Sequence, residues 1–167
     1  MSNSSPLIHM ARLGKLRFAR STFKSLFIPP GVRKETIEAG EEDGYADVSH
    51  LRALEKEGWL VTTPLAPDSL RLAEELSGTL RVGEAEAIAL ARERGERLLM
   101  DDEKGRRTAE FYGVETSTTL GVILEMLKEG ALDLTEYEKN VRDYASRGWI
   151  GGDVVQLFID RGREIGR

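Results

Sequence analysis

The sequence predicts an α/β protein: a three-layer α/β/α sandwich around a mainly parallel sheet, with a helical C-terminal extension. Three observations predict it. Short apolar runs alternate with longer stretches of helical period, the order that gives right-handed crossovers and a sheet covered on both faces. Glycines fall where those helical stretches end. The length of 167 residues suits one domain, and 40% hydrophobic with 32% charged residues suits a folded core.

The elements follow in order. Pro6 fits a first helical turn, and Leu7, Ile8, Ala11 and Leu13 form a stripe ending at Gly14. Leu16 to Phe23 reads as a second helical piece, and Ser25 to Ile28 as a buried strand closed by Pro29-Pro30. A helix over Val32–Ala39 is expected to stop at Gly40, with an acidic loop over 40–46. Asp47 or Ser49 can cap a helix through Lys56, and Gly58 ends it. Trp59 to Thr63 is the next strand, and Asp68 is the expected cap of a helix over Ser69–Leu76. Gly83 opens a strong helix ending at Gly95, and the strand Arg97–Met100 runs into Asp101-Asp102. Helix Lys104–Tyr112, strand Val114–Ser117 and helix Leu120–Lys128 complete an α/β unit over residues 1–130. Helices near Leu134–Ser146 and Asp153–Ile165 make up the extension, 131–167, expected to pack on the same domain.

Composition removes whole classes of chemistry. There is no cysteine, hence no disulfide, thiolate zinc site, iron–sulfur cluster or cysteine nucleophile. With only His9 and His50, no three-histidine metal site can form. No apolar run nears the roughly 20 residues that span a bilayer, and the first residues lack signal-peptide character, so a cytoplasmic protein without membrane contact is expected. Phosphate-binding and dinucleotide-binding glycine loops and the nucleophile elbow are missing. Net charge is −5, but residues 1–34 hold seven Lys or Arg and no acid, and residues 35–50 hold six acids and no Lys or Arg. A basic surface beside an acidic one suits a phosphate backbone held near cations; solvated faces explain it equally well.

What remains is carboxylates at element ends. Asp101 and Asp102 follow a strand where the chain leaves the sheet, Glu84 and Glu86 lie in the first turn after Gly83, and Glu35 lies in the helix after Pro29-Pro30. Ligands in parallel sheets bind beyond the carboxyl ends of strands, so one rim can gather all of these. Clustered carboxylates repel unless a cation sits among them, and oxygen donors select Mg²⁺ or Mn²⁺. Each acid also has an ordinary structural reading. Glu84 and Glu86 suit a helix N-terminus, Asp101-Asp102 can cap the next helix, and Glu35 can pair with Arg33 or Lys34 on the surface. Arg106 and Arg107 follow the aspartates closely enough for one to face the rim and meet a phosphate. His9, His50, Trp59 and Trp149 read as structural, and the stripe Leu120, Ile123, Leu124, Leu127 reads as core or a dimer face.

The stretch Gly83-Glu84-Ala85-Glu86-Ala87-Ile88-Ala89-Leu90-Ala91, then Leu98-Leu99-Met100-Asp101-Asp102 with Arg106-Arg107-x-Ala109, resembles the PIN-like nucleases. More narrowly it resembles a prokaryotic branch related to toxin–antitoxin ribonucleases. Asn3 to Ile8, Ile28 to Glu35 and Thr118 to Leu124 fit that branch in order and spacing, so the resemblance covers roughly residues 2–130. It implies a five-stranded parallel sheet, three or four acids holding Mg²⁺ or Mn²⁺, and cleavage of single-stranded RNA. On this resemblance Glu35 is the second acid and Glu86 the third with Glu84 beside it. Asp101 or Asp102 is the fourth. Asn3 departs from the pattern: it stands where active members carry aspartate and offers only a neutral oxygen. Strand one is expected to be very short, with only two residues before Asn3.

The expected function is a metal-dependent endoribonuclease of toxin-like type, with a homodimer and an antitoxin partner implied by the resemblance. Arg106, Arg107, Arg12, Lys15 and Ser5 are the candidate RNA contacts. The alternative is a catalytically weak or inactive module of the same fold that binds nucleic acid or protein, which Asn3 favours. A receiver-like regulatory domain is disfavoured, because Lys104 lies too close to the aspartates to serve as the downstream lysine of such a site.

Overall fold

The computed structural model describes residues 1–45 and 47–166. Ala46, at the end of the expected acidic loop, and Arg167, at the end of the extension, lie outside the described residues. The order is α1 (Ser4–Arg12), α2 (Ala19–Thr22), β1 (Leu26–Ile28), α3 (Pro30–Arg33), a π-helical turn (Lys34–Glu38), α4 (Ala39–Glu42), α5 (Val48–Lys56) and β2 (Leu60–Thr62). It continues with α6 (Pro67–Ser77), α7 (Val82–Arg94), β3 (Leu98–Leu99), α8 (Glu103–Phe111), β4 (Thr116–Ser117), α9 (Thr119–Lys128), α10 (Leu134–Ser146) and α11 (Gly152–Ile165). This is the α/β alternation that the sequence predicts, with short parallel strands and a helical C-terminal region.

The strands form two parallel pairs, β1 with β2 and β3 with β4. Residues 1–3 join them. The Leu99 N–H donates to the Met1 carbonyl (2.9 Å), Asn3 N–H to the Leu99 carbonyl (3.0 Å) and Ser2 N–H to the Phe27 carbonyl (3.0 Å). The lateral order is therefore β2, β1, residues 1–3, β3, β4. The short first strand is present at the centre, with one parallel bridge from Ser2 to Leu99. Asn3, Pro29 and Asp101 consequently leave the sheet at neighbouring strand ends.

Helix α7 is the central packing element. Ala85, Ala87, Ile88, Ala89, Leu90 and Ala91 are all buried, so the alanines let neighbours approach from several sides. It packs on α6 and α3 and stops at Gly95, whose φ of 62° is the left-handed cap that glycine adopts without strain. The rest of the core combines Leu7 and Met10 of α1, Ile28, Leu60, Leu98 and Leu99 of the strands, and Val122, Ile123 and Met126 of α9. The expected stripe of α9 is thus mainly core: Leu120, Ile123 and Leu127 are buried and Leu124 packs against them.

Three expected boundaries are corrected. The helix after Pro29 does not stop at Gly40 but runs through the π turn to Glu42. Gly40 serves contact rather than termination, since a Cβ there would lie 2.6 Å from the Val48 side chain. Helix α6 starts at Pro67, with Ala66 at the N-cap position, so Asp68 is an exposed first-turn residue and not the cap. Leu16–Phe23 contracts to the single turn Ala19–Thr22, where too few residues follow the nucleus for a longer helix to propagate.

Helices α10 and α11 pack on each other and on α9. Tyr137, Val141, Tyr144 and Ile159 are buried in that contact, and the Tyr137 hydroxyl donates to the Phe158 carbonyl (2.7 Å). Burial pushes the Tyr137 phenol up to about 12. Among the described residues no helix is long and apolar enough to cross a membrane.

Candidate active site

Asn3 sits at the end of the central strand and at the N-cap position of α1. An asparagine there ordinarily accepts an N–H of the first turn. This one makes no cap bond, and both Oδ1 and Nδ2 are buried without a hydrogen-bond partner. Leaving a buried amide unpaired costs about 1–3 kcal/mol, so its surroundings call for an explanation. Its neighbour Ser4 donates its hydroxyl to Glu35 Oε2.

Glu35 lies in the π-helical turn, a distortion that re-aims side chains. Its other oxygen accepts the Gly83 N–H at 3.1 Å, in the first turn of α7. Glu86, from the next turn of α7, reaches back and accepts the Gly31 N–H at 2.6 Å, in the first turn of α3. Both carboxylates are half-buried and each rests over a glycine: a Cβ on Gly83 would lie 2.6 Å from Glu35 Oε1, and one on Gly31 2.8 Å from Glu86 Oε2. Glu35 does not make the surface pairing with Arg33 that the sequence offered. Arg33 instead bonds Glu38 and Glu55.

Glu84 is corrected from a surface position. It is 6% exposed and forms one half of a capping box: it accepts the Arg81 N–H on Oε2 (3.2 Å), while the Arg81 guanidinium donates to Oε1 (2.5 and 3.1 Å) and, lacking an acceptor, caps no N–H in return. The Glu84 bond holds the Arg81 guanidinium above its ordinary range against the opposing effect of burial, and the charges of Glu35 and Asp102 add to it. Arg81 therefore pairs with Glu84 and feels the charges of Glu35 and Asp102. Only its place before Gly83 could have marked it in the sequence.

The two aspartates divide sharply. Asp101 accepts the Thr119 N–H (2.7 Å), the Thr119 hydroxyl (2.7 Å) and the Tyr144 hydroxyl (3.2 Å), and His9 Nδ1 lies 2.7 Å from its Oδ2. Burial opposes its charge, but the His9 and Thr119 bonds outweigh that and hold the carboxyl below the usual range. Tyr144, 3.1 Å from His9 Nδ1, is pushed well above the ordinary phenol value by burial and by the Asp101 charge. Asp102 is exposed and caps α8 through the Gly105 N–H (2.7 Å), leaving Oδ2 outside that bond. His9 reads in the sequence only as a structural residue and Tyr144 carries no signal there, because nothing in sequence links α1 and α10 to the end of β3.

The basic candidates are unequal. Arg106 donates to the Asp101 carbonyl at 2.5 Å and stays at the rim, whereas Arg107 pairs with Glu103 on the open face of α8. Arg12 pairs with Asp47 (3.1 Å) and Lys15 lies 3.8 Å from Glu136, so both already neutralise acids. Ser5 is half-buried in the first turn of α1.

Among the described residues, no three acidic or histidine side chains stand close enough together to cage an ion. The donor set nevertheless fits a hard divalent cation. Glu35, Glu86, Asp101 and Asp102 offer carboxylate oxygens and Asn3 an amide oxygen that no protein group engages.

A family model, DUF3368, described as a PIN domain, matches residues 1–161. No curated protein and no solved structure matches the chain.

Proposed function

Because the chain belongs to the DUF3368 family of PIN domains, whose fold is nuclease-like, we propose that it is a metal-dependent endoribonuclease acting on single-stranded RNA. One observation supports this most: the buried, unpartnered Asn3 amide stands beside the Ser4–Glu35 bond, at the strand end next to Asp101. Glu35, Glu86 and Asp101 or Asp102 would hold Mg²⁺ or Mn²⁺, with Asn3 as a neutral auxiliary ligand. When bound, such an ion supplies acidification of an attacking water and neutralisation of charge at the phosphate.

This chain's own residues do the positioning. Ser4 and the Gly83 N–H fix the Glu35 carboxylate, and the Gly31 N–H fixes Glu86. The His9 and Thr119 bonds hold the Asp101 carboxyl below its usual range although burial opposes this, and the Tyr144 hydroxyl donates to it as well. Arg106 and Arg81 at the rim can meet RNA phosphates by paired N–H donors. The resemblance to the toxin-like branch extends the proposal to an antitoxin partner, a homodimer and a cytoplasmic place of action.

The test is cleavage of a single-stranded RNA with Mn²⁺. Wild-type protein should cut, and Glu86→Gln should lose at least about 100-fold in rate; equal rates would remove the mechanism. A second reading, a degenerate site that binds without cutting, is favoured by Asn3 itself, which removes one negative charge. An inert wild type with an active Asn3→Asp variant would establish that reading.

A further inference from the structure

Beside Asp101 a cleft of about 420 Å³ opens between the acidic corner and the C-terminal helices. Its walls combine Arg106 and Glu103 of α8 with His9, Tyr144 of α10, Trp149 and Phe158 of α11. The aromatic wall is preorganised. The His9 ring stacks on Trp149 with centroids 3.7 Å apart and an interplanar angle of 27°, and Tyr144 meets Trp149 edge-on at 4.8 Å. The Arg147 guanidinium lies over the same indole at 5.4 Å.

From this arrangement we propose that the cleft receives one unpaired base of the RNA strand, against the Phe158 ring and the edge of Trp149, whose face His9 already covers, with Arg106 on the adjoining phosphate. The proposal rests on the RNA-cleaving reading and names its substrate subsite. The open volume of about 420 Å³ accommodates one base with its sugar. Chemistry selects further. An apolar and aromatic wall takes the face of a base and is sequence-tolerant, and cationic groups at its edge suit the charged backbone that follows. Asp101 shares the cleft, so the bound base would adjoin the candidate reacting centre. The C-terminal helices would thereby contribute to substrate binding as well as to packing.

The experiment measures binding of a single-stranded RNA dodecamer in EDTA, where metal-dependent cleavage cannot interfere. Binding is followed by RNA fluorescence polarisation and by intrinsic tryptophan emission. Trp59, the other tryptophan, is buried and bonded to the Phe23 carbonyl, so a change in emission reports Trp149. The expected result is quenching on RNA addition. Affinity should fall at least about tenfold in Trp149→Ala, with most of it recovered in Trp149→Phe. An RNA with one abasic position should lose affinity similarly on the wild-type protein, a comparison that needs no variant to fold. RNA binding with unchanged emission, or equally tight binding to a folded Trp149→Ala variant, would overturn the proposal. So would emission that responds to an apolar dye and not to RNA, which would assign the cleft to a protein partner. A failed cleavage assay leaves these outcomes readable, because none of them requires catalysis.

Discussion

Glu35 and Glu86 clasp the two helices that carry them, each accepting a backbone N–H from the first turn of the other's helical segment, at Gly83 and Gly31. The exchange fixes both carboxylates with backbone donors, which cannot swing away as side chains do. It also gives two glycines a reason for their identity, since a methyl group on either would collide with the opposite carboxylate.

Gly83→Ala should therefore separate activity from stability. Alanine favours a helix by about 0.5–1 kcal/mol over glycine, and the Glu35 carboxylate can yield as the end of a flexible chain. Urea denaturation should show stability unchanged or slightly raised, while Mn²⁺-dependent cleavage falls at least about tenfold. Activity that survives intact would mean that the position of Glu35 is not required.

The aspartates should respond differently to the same change. Asp101→Asn removes the charge that binds Thr119, His9 and Tyr144, so it should lower stability by about 2 kcal/mol as well as activity. Asp102→Asn keeps a good helix cap and should stay within about 0.5 kcal/mol of wild type. Thermal melts of the two variants, read beside their cleavage rates, check this contrast.

Much of the fold was legible in the sequence because local signals agreed. Gly95 and Gly113 end their helices as expected, each with positive φ, and the alanine-rich run of α7 reads correctly as a strong helix, though not as a buried one. Gly40 misled because a glycine needed for close packing looks, in sequence, like one needed for a turn. For the site, Glu35, Glu86, Asp101 and Asp102 stood out as acids at element ends. Their partners did not: Ser4 with Glu35 and Tyr144 with Asp101 are 31 and 43 residues apart, and hydrogen bonds across such separations leave no periodic trace. The first strand was expected to be very short, but its place at the centre of the sheet was hidden, since its pairing comes entirely from its neighbours.

The C-terminal helices give a stability test independent of the site. Gly162 of α11 lies against the Tyr137 ring, and a Cβ there would sit 2.2 Å from a ring carbon that is fully buried. Gly162→Ala should cost about 1–3 kcal/mol by overpacking, measured by urea denaturation. No loss would mean that α11 can shift freely on α10.

Acid should weaken the protein partly through Glu55. Its carboxylate bonds Arg33 (2.7 Å) and Arg52 (3.1 Å), and the Arg33 bond holds it below its ordinary value of 4.5 although burial opposes this. The unfolded chain then binds the proton more readily than the folded one. This stabilisation is complete above about pH 4.5 and disappears as pH falls through the lower folded value. Wild type and Glu55→Gln should differ in melting temperature at pH 7 and converge in strong acid.

The most direct measurement is calorimetric titration of Mn²⁺ into the wild-type protein and into Asn3→Asp, Glu35→Gln and Glu86→Gln. The account predicts binding of the ion by wild type, tighter binding when Asn3 becomes an aspartate, and loss in both glutamine variants. Binding that ignores all three substitutions, or none even with Asn3→Asp, would contradict it.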